Sequence, residues 1–251
     1  MGKGITCLVA GALAVGIVGS AAFGDGIVVD LTAGSGASGF VNGALFQFDP
    51  IQSAGTGVFQ PFVRIQMNGT EEGYNTSGRP LPFDEKGGGW TRDLQLSELL
   101  VLTRGQTQYY AFSLDINESN ADVNQLLSLD EVKIFTSAVP GQTTTDLNSL
   151  GAIRYRLDSL SGTPNSDHRV VLDASNTHGS GQSDMTMLVP VSRFSGAGPN
   201  DYVVLYSEFG LNNRSTAGFE EWSAAVPEPG TAGLVLLGAA AFLGRRRRRC
   251  A

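Results

Sequence analysis

Cysteine is almost absent from this chain. The only two, Cys7 and Cys250, lie near the two ends, in segments that we expect to be removed from the mature protein. The body between them therefore has no thiol, which excludes a disulfide framework, a cysteine nucleophile and a cysteine-based zinc site. Packing alone must hold this body together, and its length of roughly 200 residues is enough for one full core.

Motifs of common catalytic sites are also missing. The sequence has no G-x-S-x-G, H-E-x-x-H or P-loop pattern, and neither of its two histidines has a neighbouring zinc pattern. Glu220 and Glu221, followed by Trp222, fit either a sugar-binding cleft or a terminal strand with a core tryptophan. We therefore predict a non-catalytic protein that requires no cofactor. The alternative is a carbohydrate-binding module or a polysaccharide-active enzyme.

No apolar run in the C-terminal region reaches the roughly 20 residues that cross a bilayer. The run there extends from Ala232 to Leu243 and is preceded by Pro227, Glu228 and Pro229. Five arginines follow it and would be held on the cytoplasmic side by the positive-inside rule: Arg245, Arg246, Arg247, Arg248 and Arg249. This predicts a short helix that retains the precursor in the membrane before processing. The alternative is a permanent C-terminal anchor.

The order of Pro-Glu-Pro, a short Gly/Ala/Leu segment and an arginine cluster, over 227–249, resembles the PEP-CTERM sorting signal of bacteria. The resemblance implies recognition by exosortase, a membrane-embedded cysteine protease thought to act as a transpeptidase. It also implies that the tail is removed and that the body is released or attached at the cell surface, often together with exopolysaccharide. The expected location is thus the cell envelope, its surface or the medium.

The N-terminus predicts export as well. Residues 1–24 have Lys3 near the start, then an apolar stretch and small residues, which is typical of a signal peptide cleaved before Asp25. The whole chain has 17 basic and 24 acidic residues; without Lys3, the five terminal arginines and Glu228, 11 and 23 remain, a net charge of −12. Such an acidic body disfavours nucleic acid as a partner and suits divalent cations or a hydrated matrix.

Strand patterns recur through the body, at 25–226, and helix patterns do not. Ile153, Tyr155 and Leu157 alternate with charged residues, and Val63, Ile65 and Met67 alternate with polar ones, so each set should face inward. About ten short apolar runs, separated by Gly, Asn, Asp, Ser and Pro, predict a single all-β domain, a β-sandwich of jelly-roll type. The predicted strands are 26–31, 44–48, 58–67, 99–103, 109–116, 131–136, 152–158, 169–172, 185–189 and 202–209.

Seven blocks of the body resemble a group of secreted bacterial proteins that carry the same kind of tail. The resemblance implies export and a related fold, and it adds no chemistry. The blocks are 72–80, 90–99, 109–118, 126–135, 170–185, 201–210 and 218–222.

Two sets of residues are candidates for binding. Oxygen-bearing side chains recur at short intervals after residue 114, and calcium is bound by six to eight such oxygens. We therefore predict Asp115, Asn117, Asp122 and Asp130 as calcium ligands, with solvated turns as the alternative. A long loop at 69–91 is either mobile or part of a ligand surface. The aromatic residues predicted for that surface are Tyr74, Trp90 and Trp222.

Overall fold

The structure is a computed structural model, and it describes residues 26–48, 60–118, 125–158, 167–177, 182–216 and 218–224. The predicted signal peptide, the predicted sorting segment and Asp122 lie outside the described residues. Within that part of the chain, no helix is both long and apolar enough to cross a membrane.

The described residues form strands and short 3-10 turns, with no α-helix among them. The strands are β1 (Val28–Asp30), β2 (Ser38–Val41), β3 (Ala44–Gln47), β4 (Pro61–Ile65), β5 (Asn68–Gly69), β6 (Glu71–Tyr74), β7 (Leu94–Gln95), β8 (Val101–Arg104), β9 (Thr107–Ile116), β10 (Leu126–Ser137), β11 (Ala152–Arg156), β12 (Arg169–Asp173), β13 (Met185–Pro190), β14 (Tyr202–Phe209), β15 (Ser215–Thr216) and β16 (Glu220–Ala224).

Two seven-stranded sheets make up the architecture. The first has the order β1-β12-β10-β14-β6, with β11 on β10 and β7 on β14. The second has the order β2-β3-β13-β9-β16-β4, with β8 on β9, and a separate two-stranded sheet joins β5 to β15. The pairing is antiparallel apart from β1 and β12, which are parallel. The prediction of an all-β, sandwich-like fold is confirmed; the jelly-roll connectivity stays a prediction.

The core lies between the two sheets and follows from the alternation of side chains along the strands. In β14, Val203, Leu205 and Phe209 belong to the large apolar cluster that both sheets share, while Val204 and Tyr206 point to the opposite face. Successive side chains of a strand face opposite sides, so a strand that is buried on both faces reads as a continuous apolar run. The sequence pattern predicted this strand with the bounds that the structure has.

A second apolar cluster covers the outer face of the first sheet. Its buried members are Tyr74, Phe135, Leu150, Val204 and Tyr206, and Phe83, Leu147 and Ile153 pack against them. Phe83 comes from the segment predicted as a long loop, so part of that segment contributes to the packing of the domain.

Backbone hydrogen bonds fix the same segment between β4 and β6. The Asp84 amide donates to the Glu72 carbonyl at 3.1 Å, the Gln66 amide donates to the Asp84 carbonyl at 3.2 Å, and the Lys86 amide donates to the Arg64 carbonyl at 2.8 Å. This segment thus occupies an edge where the two sheets meet, and it satisfies strand groups that would otherwise be open to another chain.

Two details of the strand predictions are wrong. Ile153 was predicted to face inward with Tyr155 and Leu157, but it packs against the cluster on the outer face of the first sheet, whereas those two residues belong to the central core. The pairing of β11 with β10 shifts register between Tyr155 and Ile153, and this irregularity breaks the alternation.

Met67 was predicted to face inward with Val63 and Ile65, but its side chain is 48% exposed. The strand β4 ends at Ile65, so the alternation does not continue to Met67.

Candidate metal centre

Three buried glutamates meet at one end of the sandwich. Glu71 begins β6 in the first sheet, Glu220 begins β16 in the second, and Glu118 follows the end of β9. One carboxylate oxygen of each lies within 4.8 Å of the others, and the side chains are 1%, 0% and 6% exposed respectively. We call Glu71, Glu118 and Glu220 the carboxylate cluster.

Strand pairing brings two of these residues together. In the ladder between β9 and β16, Glu220 is opposite Ile116, and the Asn117 amide extends the pairing by donating to the Phe219 carbonyl at 3.1 Å. Gly218 makes this approach possible, because a Cβ there would lie only 2.1 Å from the Asn117 carbonyl oxygen. Glu118 is thereby held beside the start of β16.

The hydrogen-bond donors of the cluster lie in or next to the small sheet of β5 and β15. The Met67 amide donates to Glu71 Oε2 at 2.5 Å, and the Thr216 amide donates to Glu118 Oε2 at 2.7 Å. The Thr216 hydroxyl also donates to Glu118 Oε2. Two of the six carboxylate oxygens are therefore held by the protein.

The other four oxygens of the cluster are buried and have no hydrogen-bond donor in the described structure: Glu71 Oε1, Glu118 Oε1, Glu220 Oε1 and Glu220 Oε2. None of the ion pairs among the described residues includes a member of the cluster. A buried carboxylate without a donor or a counter-charge is costly, since it has lost its hydration without replacement.

The pKa values of the cluster residues reflect this cost. Burial, followed by the hydrogen bond that a protonated Glu220 donates to Glu71 and by the charges of Glu71 and Glu118, raises the pKa of Glu220 well above the usual glutamate range. Burial likewise raises the pKa of Glu71, although hydrogen bonds from its neighbours oppose the rise. Two arrangements relieve the repulsion: a proton shared between Glu71 and Glu220, or a cation held by all three carboxylates.

The predicted calcium ligands lie in two different sheets. Asp115 is in β9 and Asn117 follows it, whereas Asp130 is in β10 of the first sheet. Asp130 already accepts hydrogen bonds from the Leu211 amide and Asn212 Nδ2, both at 2.8 Å, and from Ser128 Oγ at 2.7 Å. These contacts fix the turn after β14. The calcium site built on these residues stays a prediction.

Two of the three residues predicted for a ligand surface are in the interior. Tyr74 and Trp222 are both 0% exposed, so their assignment to a ligand surface is corrected. Tyr74 packs in the cluster on the outer face of the first sheet, and its hydroxyl donates to the Thr144 carbonyl at 2.9 Å. Trp222 lies in the central core, where its indole N–H donates to Ser207 Oγ at 3.0 Å.

Trp90, the third of these residues, is 46% exposed. The Arg64 guanidinium lies 4.1 Å from the centre of the Trp90 ring and 4.7 Å from that of Phe219. Arg64 Nε also donates to Glu221. Trp90 and Phe219 therefore pack on the guanidinium of Arg64, which the buried carboxylate of Glu221 orients.

The sequence carried a signal for one member of the carboxylate cluster. If Trp222 is a core residue of a terminal strand, alternation places Glu220 on the same inward face. Glu118 lies within the segment that was predicted to bind calcium, but it was not among the chosen ligands. Glu71 comes close to Glu118 and Glu220 because of the positions of β6 and the small sheet. No local sequence pattern predicts those positions.

Comparison with known proteins identifies the C-terminal segment. Residues 225–249 match the family described as the PEP-CTERM protein-sorting motif. No curated protein and no solved structure matches the chain. The motif confirms the resemblance noted in the tail, implies recognition by exosortase, and indicates a protein that is exported and sorted to the cell envelope.

Proposed function

We propose that the protein is a non-catalytic, exported β-sandwich that exosortase releases from its tail and that then acts in the cell surface or its matrix. The PEP-CTERM motif at 225–249 carries this proposal. The motif directs sorting, and a body that lacks thiols and has excess negative charge is suited to a hydrated, cation-rich exterior.

The apolar tail segment holds the precursor in the membrane only until it is processed. Its run from Ala232 to Leu243 is short for a span, so the arginines that follow it supply the stop signal. The mature protein consists of residues 25–226, with a new C-terminus close to Pro227. Exopolysaccharide is the partner that this location favours.

Intact-mass analysis of the protein from strains with and without exosortase tests the proposal. The strain with exosortase should yield a chain that begins at Asp25 and ends near Pro227, together with any attached group. The strain without it should yield a membrane-bound chain that keeps the tail. Full-length protein in the envelope of both strains would contradict the proposal.

A second candidate function is carbohydrate binding on the surface formed by Arg64, Trp90 and Phe219. Exposed aromatic rings next to a charged side chain can stack on the apolar face of a sugar while the charge contacts its hydroxyl groups. Trp90 and Phe219 are 46% and 37% exposed, which leaves ring surface for such a contact.

A glycan array with the full chain tests this candidate. Binding that is lost in Trp90→Ala and kept in Phe40→Ala would support it. Phe40 is a suitable control because it is an exposed aromatic residue, 60% accessible, on the distant strand β2. Absence of binding to every glycan would rule the candidate out.

A further inference from the structure

We propose that Glu71, Glu118 and Glu220 form a binding site for one divalent cation of the calcium type. The site joins the two sheets, since Glu71 belongs to the first sheet, Glu220 belongs to the second, and Glu118 follows β9 of the second. None of its three ligands is among those that the sequence pattern indicated, although Glu118 lies in the same segment.

The geometry fits a single ion. Calcium binds oxygen ligands at about 2.3–2.6 Å, so ligand atoms on opposite sides of one ion are separated by roughly 5 Å or less. One oxygen from each of the three glutamates satisfies this limit, because all three lie within 4.8 Å of one another. Backbone carbonyls and water usually complete the six to eight ligands of calcium.

The burial of Glu220 supports a bound ion independently of the short distances between the three glutamates. Its side chain is 0% exposed, and neither of its two oxygens has a donor in the described structure. Glu71 and Glu118 each have one oxygen held by a donor in or next to the small sheet and one oxygen without a donor. The protein thus orients each of these two carboxylates by one oxygen and leaves the other for a ligand.

The chemistry of the ligands selects the ion. Three carboxylates are hard oxygen ligands with a combined charge of −3 when ionised, and no cysteine or histidine belongs to the cluster. Such a set favours calcium over zinc or copper. Magnesium requires stricter octahedral geometry and releases its water reluctantly, which a buried three-carboxylate site disfavours. The choice of calcium also relies on the proposed export, because extracellular modules bind calcium at about 10⁻⁴–10⁻³ M.

The experiment measures calcium binding and thermal unfolding of the full chain, purified in a mild non-ionic detergent and freed of metal with a chelator. Calcium at about 1 mM should raise the melting temperature by roughly 1–6 °C, because it binds the native state and not the unfolded chain. Equilibrium dialysis followed by elemental analysis should find one calcium per chain. Magnesium at equal concentration should produce a smaller shift.

Three variants locate the ion. Glu220→Gln and Glu118→Gln should each weaken calcium binding at least tenfold. Glu72→Gln is the matched control, since it removes the same charge from the neighbouring position, where the carboxylate accepts a hydrogen bond from the Tyr206 hydroxyl instead. It should bind calcium like the unchanged protein.

Calcium binding that is saturable, present in Glu72→Gln and weakened in both cluster variants would support the site. No bound calcium and an unchanged melting curve would overturn it and leave a shared proton between Glu71 and Glu220 as the arrangement of the cluster. Equal binding by all four proteins would also overturn it, and equal shifts with magnesium would overturn the assignment to calcium. Because the measurements use purified protein, failure of export does not affect their outcome.

Discussion

Asp184 should make the folded domain less stable as the pH rises from acid to neutral. The residue is 1% exposed and lies just before β13, close to the end of β9. Burial raises the pKa of its carboxyl to about 7, and the nearby charges of Asp115 and Asp173 add to the rise. Hydrogen bonds from the Thr177 hydroxyl and from the Ile116 amide, the latter at 2.7 Å, oppose it but are outweighed.

The sign and size of the effect follow from proton linkage. In the unfolded chain the same carboxyl has a pKa of about 3.9. Between that value and about 7 the unfolded state releases the proton while the native state keeps it, so the free energy of unfolding decreases as the pH rises. Stability is fully present below the unfolded pKa and has been lost once the pH passes the folded pKa. From about pH 4.5 to about pH 7.5 the loss attributable to Asp184 is roughly 3 kcal/mol.

The variant Asp184→Asn isolates this contribution. An asparagine has the same shape, and its amide oxygen can still accept a hydrogen bond from the Ile116 amide, but it does not titrate. Urea unfolding of the full chain, followed by the fluorescence of the buried Trp222, should be measured at about pH 4.5 and about pH 7.5. Both proteins should be kept in the same chelator. The variant should lose about 3 kcal/mol less than the unchanged protein over this range.

Asp30→Asn is the control for the pH experiment. Asp30 is exposed, and hydrogen bonds from the Thr32 side chain and amide lower the pKa of its carboxyl, so its contribution has the opposite sign and is small. If Asp184→Asn and the unchanged protein lose equal stability between the two pH values, burial of Asp184 does not set its ionisation and the reasoning fails.

Three other predictions use different parts of the chain. Asp130→Ala should destabilise the fold by about 2–4 kcal/mol in urea unfolding, because it leaves three donors unpaired. It should leave the calcium-induced rise in melting temperature in place; loss of that rise would instead support the ion site predicted around Asp115. Replacing Arg245–Arg249 with neutral residues should release the precursor from the membrane fraction before processing, and unchanged fractionation would show that the arginines are not the stop signal. Residues 25–226 alone should be soluble with a far-ultraviolet spectrum typical of β-structure; a helical spectrum would contradict the fold.

The strands that the sequence predicted well are those with a strong local pattern. The run of β14 was predicted with its observed bounds, and β3, β9 and β13 within one or two residues, because apolar and β-branched side chains continue along both faces. The short strands β2 and β6 were not predicted. Their sequences, SGFV and EEGY, contain glycine and acidic residues that disfavour strands in isolation, so their pairing is decided by neighbours.

The residues that line a site were harder to predict than the strands. Tyr74 and Trp222 were assigned to a surface because aromatic residues bind sugars, but the same residues are also the best fillers of a core. Only the three-dimensional arrangement decides between these roles. The apolar cover over Tyr74 includes Phe83 and Leu147, which are separated from it in sequence and meet it only through the packing of loops on the first sheet.

The carboxylate cluster lies where the two sheets meet, so the charge of its three glutamates affects the stability of the fold. The donors that hold Glu71 and Glu118, the amides of Met67 and Thr216, adjoin or belong to the two strands of the small sheet. Gly210 lets the chain pass close to that sheet, since a Cβ there would lie 2.1 Å from the Gly69 carbonyl oxygen. In the unfolded chain the three glutamates are far apart, so the proposed ion would gain little from binding to it, and nearly the full binding free energy would stabilise the native state. Without the ion, the same carboxylates either share a proton or repel one another where the two sheets join. This body of the chain has no cysteine to form a disulfide. On the proposed site, the contact between its two sheets at the carboxylate cluster would instead depend on the calcium concentration of its surroundings.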